Sequence, residues 1–265
     1  MNTLVNYTLS LSLIIGFTSL EAQTKKEVYN AQSGWTTDTS IVDKKNSKNT
    51  LTKTRKVGAF DRISIEGPFQ VKLLSGKEDS IKIQAPASMM KFIKSEVEKG
   101  KLTIRLQPKS WMNRGGISYY NSAMQIAIPL QDIDGLQLSG SGRIETQNLT
   151  LASPKMNLQV SGSGRIIIRL ESRDLSIKNS GSGRIGVKGS TNTLQAKLSG
   201  SGRADLEELV SQSTRIILSG SGRIKTNTQK KLVSRVSGSG RVQYKNYPNL
   251  IIDSEVSGSG KTSSY

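Results

Sequence analysis

The sequence predicts an all-β fold, a right-handed parallel β-helix (β-solenoid) of about seven coils, and three observations carry that prediction. The tetrapeptide Ser-Gly-Ser-Gly recurs seven times, starting at Ser139, Ser161, Ser180, Ser199, Ser219, Ser237 and Ser257. Successive copies lie 22, 19, 19, 20, 18 and 20 residues apart, and a period near twenty is the mark of stacked repeats. The residues on either side of each copy alternate apolar and polar in phase with it. A flexible Gly/Ser linker has no reason to keep such phase, whereas a strand does.

The alternation is clearest when the first Ser of each copy is numbered zero. Position −1 holds Leu138, Val160, Asn179, Leu198, Leu218, Val236 and Val256. Position +5 holds Ile144, Ile166, Ile185, Ala204, Ile224 and Val242, and +7 includes Ile168, Val187, Leu206 and Tyr244. These offsets are all odd, so in a continuous strand they face the same way. Each coil therefore supplies one strand before the tetrapeptide and one after it, and the five to nine residues left over close the turn. Coils this short bury an apolar face only by stacking on their neighbours, which is the logic of a solenoid.

The same parity sends both glycines inward and both serines outward. An inward glycine marks a bend or a close approach of backbones, so the tetrapeptide is expected to form the sharp corner of each coil. Asn179, the one polar residue at −1, is expected either to form a buried hydrogen bond to the backbone of the adjacent coil or to mark a local irregularity.

Upstream of the repeats, residues 57–128 carry shorter alternating runs, including Ile63/Ile65, Val71/Leu73, Ile81/Ile83, Leu102/Ile104 and Ile126/Ile128. They read as less regular coils closing one end of the stack, ahead of the repeat region at 129–265. Residues 86–99 read as a bulged strand, with one helical turn as the alternative. Residues 109–122 form a loop with the densest aromatic cluster of the chain, Trp111, Tyr119 and Tyr120, a candidate contact loop. Residues 24–56 are polar and rich in Lys, Thr, Ser and Asn, the composition of a tether. Residues 1–23 hold an apolar run from Leu9 to Phe17 followed by Glu21-Ala22-Gln23, the pattern of a cleaved secretory signal, although no Lys or Arg precedes the run. The expected location is therefore outside the cytoplasm: periplasmic, outer-membrane-associated or extracellular.

Composition narrows the function. The 265-residue chain has no Cys and no His, which removes disulfides, thiolate zinc sites and the commonest acid–base side chain. No catalytic residue, cofactor or metal site is expected. The scattered carboxylates make a polysaccharide-active enzyme the least favoured reading, since such enzymes need converging acids. A net charge of +18 attracts polyanions over a Debye length.

That charge is patterned. Position +4 is basic in every copy: Arg143, Arg165, Arg184, Arg203, Arg223, Arg241 and Lys261. With coils about 4.8 Å apart, these seven would span roughly 30 Å. The stripe is a candidate binding surface for an acidic glycan or lipid headgroups. The plainer reading is that long basic side chains keep a β-stack soluble. Specific nucleic-acid binding is not expected of an exported protein. An envelope protein is a further candidate partner, and the last coil, followed by only five residues, offers an edge for homo-oligomers.

The run from Phe60 to Leu106 followed by the SGSG coils resembles the head GIN domain family of auto-transporter adhesins. The resemblance rests on Phe60-x-x-Ile63-x-Ile65-x-Gly67, Phe69-x-Val71, Gly100-x-Leu102-x-Ile104 and the repeated tetrapeptide, and spans about residues 57–260. It implies an extracytoplasmic β-solenoid acting as a binding or structural module, with no family catalytic or ligand residues. No alternating barrel segments follow the last copy, so export by another route is expected.

Overall fold

In the computed structural model, residues 50–77, 79–107 and 124–265 are described. The 1–23 signal, most of the 24–56 tether, and Trp111, Tyr119 and Tyr120 lie outside the described residues. The N-terminal part contains β1 (Thr50–Lys56), β2 (Arg62–Glu66), β3 (Gln70–Ser75), β4 (Ser80–Pro86), one helical turn α1 (Ala87–Met90), β5 (Ile93–Glu98), β6 (Lys101–Leu106) and β7 (Gln125–Leu130). The repeats contain β8 (Gly135–Gly140), β9 (Arg143–Gly162), β10 (Arg165–Gly181), β11 (Arg184–Gly200), β12 (Arg203–Gly220) and β13 (Arg223–Ser237). They end with β14 (Arg241–Tyr244), β15 (Ile251–Ser257) and β16 (Lys261–Ser264).

From β8 onward every pairing is parallel and each coil lies on the one before it, giving the stacked parallel coils of a β-solenoid. The apolar residues at −1, +5 and +7 of the first six copies line one continuous core, in which Ile144, Val160, Ile166, Ile185, Leu206, Leu218 and Ile224 are fully buried. Each coil has two limbs: the residues after the tetrapeptide form one face of the stack, and the residues before the next copy form the other.

The two bends joining these limbs are built differently. At the SGSG bend of the first five copies the ladder is interrupted only at the second Ser and second Gly, and even there backbone groups are paired. Ser163 N–H donates to the Gly140 carbonyl at 3.1 Å and Arg165 N–H to the Gly142 carbonyl at 2.9 Å, a pattern that continues to Lys261 N–H on Gly240. The two glycines are not equivalent, which corrects the parity expectation. The second is inward and buried in each of the first six copies, while the first sits at the outer edge with φ between +102° and +119°. A Cβ on Gly181 would stand 2.7 Å from the Gly162 carbonyl oxygen, and one on Gly200 would stand 2.8 Å from that of Gly181. Both the positive φ and the stacked carbonyl thus require glycine at this position.

At the opposite bend β9–β13 curve without breaking, so the residues expected to form a separate closing turn stay in the sheet there, whereas in the last coil residues 245–250 separate β14 from β15. An inward column of hydroxyls, Ser153, Ser172, Thr191, Ser211 and Thr228, stands there in register. Their oxygens bond one another and the bending backbone: Ser172 Oγ to Thr191 Oγ1 at 3.1 Å, Ser211 Oγ to Thr228 Oγ1 at 3.2 Å, and Thr191 Oγ1 to the Thr193 carbonyl at 3.2 Å. This arrangement supplies polar partners to a buried curved backbone.

Asn179 also departs from expectation, because its Nδ2 donates at 2.7 Å to Gly183 of its own corner rather than to the adjacent coil. Its Oδ1 is buried without a hydrogen-bond partner.

The N-terminal end reverses the winding. Glu66-Gly67-Pro68-Phe69-Gln70 forms a corner in register with the first tetrapeptide, Glu66 opposite Ser139 and Gln70 opposite Arg143, with the Phe69 side chain fully buried. The chain then runs outward, and β6 and β7 stack in parallel on β2 and β3. Beyond them, β5 pairs antiparallel with β6, and β4 antiparallel with β7. Residues 86–99 therefore combine a helical turn with a strand instead of forming one bulged strand, placing Met89, Met90 and Ile93 over the core. β1 pairs antiparallel with β4, so a strand occupies Thr50–Lys56, inside the 24–56 segment expected to be a tether.

A candidate anion-binding face

Each of the seven basic residues starts the strand that leaves its corner, and this common starting point places them in one column. Arg143, Arg165, Arg184, Arg203, Arg223, Arg241 and Lys261 are directly opposite one another in successive coils, with Gln70 and Gln125 continuing the column beyond Arg143. Their side chains point outward because the neighbouring residue at +5 is committed to the core. Adjacent cations about 4.8 Å apart repel by somewhat under 1 kcal/mol in water, a cost that burial of the core outweighs.

Two of the seven have a carboxylate partner. Arg143 pairs with Glu145 of its own strand at 3.1 Å, and Arg184 pairs with Asp205 of the next coil at 3.4 Å. Among the described residues no carboxylate pairs with Arg165, Arg203, Arg223, Arg241 or Lys261. On the opposite face the register column at −2 reads Gln137, Gln159, Lys178, Lys197, Ile217, Arg235 and Glu255, with no single chemistry. There Arg235 is neutralised, bonding both oxygens of Asp253 at 2.9 and 3.1 Å and Glu255 at 2.9 Å. The hydrogen bond from Arg235 holds the Asp253 carboxyl below the usual carboxylate range. The corner between the faces presents only Ser and Gly, so nothing bulky stands on the corner side of the basic column.

Sequence reasoning missed a second feature of the basic face. The 22-residue spacing exceeds the 19-residue spacings by three residues, and the excess is absorbed in β9. Glu145 pairs with Ile167 and Thr150 with Arg169, leaving residues 146–149 opposite Ile168 alone. Asn148 takes a positive φ of 51° at this bulge. The spacing itself was the available signal. Parity could not interpret it, because a bulge breaks phase locally.

Among the described residues, no group of three or more acidic side chains is placed to hold a metal ion, and no helix is long and apolar enough to cross a membrane. Fold and face together define a β-solenoid carrying an extended basic ladder. The family profile described as "Putative auto-transporter adhesin, head GIN domain" matches residues 59–248, and the chain belongs to that family. Among solved structures it is similar to a "putative adhesin" from Bacteroides fragilis, at 19% identity and a TM-score of 0.73, covering 83% of this chain and 99% of that one. A "putative lipid binding protein" from Parabacteroides distasonis shares 19% identity with a TM-score of 0.66, over 83% and 98% of the two chains. A "putative adhesin" from Parabacteroides merdae shares 13% identity with a TM-score of 0.63, again over 83% and 98%. At these identities the likeness is one of fold. No curated protein matches the chain.

Proposed function

We propose that the chain is an exported, non-catalytic binding module that holds a linear acidic glycan along its basic ladder. The observation that carries this reading is the register of seven cations in one outward-facing column, five of them without a carboxylate partner among the described residues. A role in solubility alone needs positive charge but not registration, and the column on the opposite face keeps no single charge in register. A linear polyanion laid along the stack meets a cation at every coil, and its charge offsets the repulsion within the column.

Replacing Arg203, Arg223 and Arg241 together with Ser tests the reading on polygalacturonate at low salt. Binding should weaken about tenfold and lose much of its salt dependence, as expected when several charge contacts go. Unchanged affinity sinks the proposal. An anionic lipid surface is the second reading, prompted by the structural neighbour named for lipid binding. It takes over if phosphatidylglycerol vesicles bind through the same three arginines and the polysaccharide does not.

A further inference from the structure

The bulge in β9 opens a notch of about 660 Å³ on the basic face. Its wall includes Thr146, Asn148, Leu149, Ile167, Arg169 and Lys188. The near limb is pinned by the Arg169 N–H, which donates to Thr146 Oγ1 at 3.0 Å. Asn148 holds the crest in a left-handed conformation that asparagine accepts more readily than most residues. The volume falls within the range of small-ligand sites, which typically combine apolar walls with a few polar groups.

The charges around the notch are unequal. Glu145 at its edge is engaged by Arg143, and Lys188 is engaged by Glu208 at 2.8 Å. Among the described residues no carboxylate pairs with Arg169, so the cation facing the notch is free for a ligand. Arg165, Ile167 and Arg169 are alternate outward residues of β10, which puts Arg169 about 13 Å from Arg165 of the ladder. Between them lie Ile167 and, directly opposite it in β11, the side-chain-free Gly186. The floor from ladder to notch is therefore low, with a cation at each end, and the carboxylates that flank it, Glu145 beside Ile167 and Asp205 beside Gly186, are held by Arg143 and Arg184.

We propose that this notch is a second subsite, which takes one uronic-acid residue of an oligosaccharide lying across the coil from Arg165. Arg169 would hold the sugar carboxylate, Asn148 and Thr146 would meet ring hydroxyls, and Ile167 and Leu149 would face the apolar side of the ring. The proposal rests on the acidic-glycan reading above and deepens it, giving the ligand a preferred end.

Galacturonate trimer, long enough to reach from Arg165 to the notch but far shorter than the whole ladder, separates the two ideas by titration calorimetry. The wild-type chain should bind it, and Arg169→Gln and Asn148→Gly should each weaken it about tenfold. Glycine suits the backbone at 148, so unchanged circular dichroism and melting are expected for that variant. The triple Arg203, Arg223 and Arg241 variant should keep the trimer while losing the polymer. No wild-type binding of the trimer, or wild-type affinity in both single variants, overturns the subsite. Retention of the polymer by the triple variant overturns the ladder and leaves the trimer result to judge the notch.

Discussion

The two bends of each coil solve the same problem with opposite chemistry. The SGSG bend brings backbone against backbone, so each first glycine rests on the carbonyl of the glycine below it. The hydroxyl bend stays continuous and fills its interior with Ser and Thr side chains that bond the curving chain. Where backbone packs on backbone only one residue fits, and the motif repeats letter for letter. Where side chains satisfy the curve, Ser and Thr interchange. Differences in coil length are absorbed mostly between the corner and the hydroxyl bend, where the pairing register shifts in β9 and β12, with one further shift just past Ser211 and Thr228, where β13 carries an extra residue.

The contrast is sharpest under substitution. Gly181→Ala places a Cβ 2.7 Å from the Gly162 oxygen at a φ of +119°. It should cost about 2–4 kcal/mol, measured by denaturant unfolding, because strain and overpacking act together. A loss no larger than that at the hydroxyl bend would remove the distinction between the bends. At that bend, Ser211→Ala deletes an oxygen in contact with Thr214, Asn227 and Thr228. The expected loss is about 1–2 kcal/mol, since partners are left unpaired but no clash is made.

The smallest effect is expected beside the SGSG bend and has the opposite sign. Asn179→Leu installs the residue found at the equivalent Leu138, Leu198 and Leu218 and removes the unpaired Oδ1. The Gly183 carbonyl keeps its bond from Arg203 N–H at 2.9 Å. A gain of up to about 1 kcal/mol should appear as a higher melting temperature. Destabilisation would mean that the Asn179 amide is needed to hold its own corner.

The ends of the stack differ as well. The N-terminal end folds antiparallel strands and Met89, Met90 and Ile93 over the core. At the other end the core columns turn polar, with Ser234 Oγ bonding Ser254 and Thr262 at 2.9 and 3.1 Å. β15 is exposed throughout, and Ile251 is 66% accessible.

Much of this was legible beforehand. The period of the tetrapeptide and the parity of Ile144, Ile166, Ile185 and Ile224 were enough to predict stacked parallel coils, because one apolar face on a twenty-residue coil has no other way to be buried. The column of basic residues followed from the same parity. The corner at Gly67 was not legible, since Glu-Gly-Pro-Phe shares one letter with the repeat and its partner lies 73 residues away, from Glu66 to Ser139. The order of the N-terminal coils, in which the later β6 and β7 stack outside the earlier β2 and β3, depends on long-range pairing that no local period encodes.

The sequence by itself determined the repeat, the inward and outward faces and the existence of a basic column, because these follow from period and phase along one strand. Only the tertiary structure decided which glycine is inward, where the three extra residues of the first coil go, and which cations find carboxylates. Each of these depends on what the neighbouring coil presents at a distance of about 4.8 Å, a relation between residues some twenty apart in the chain.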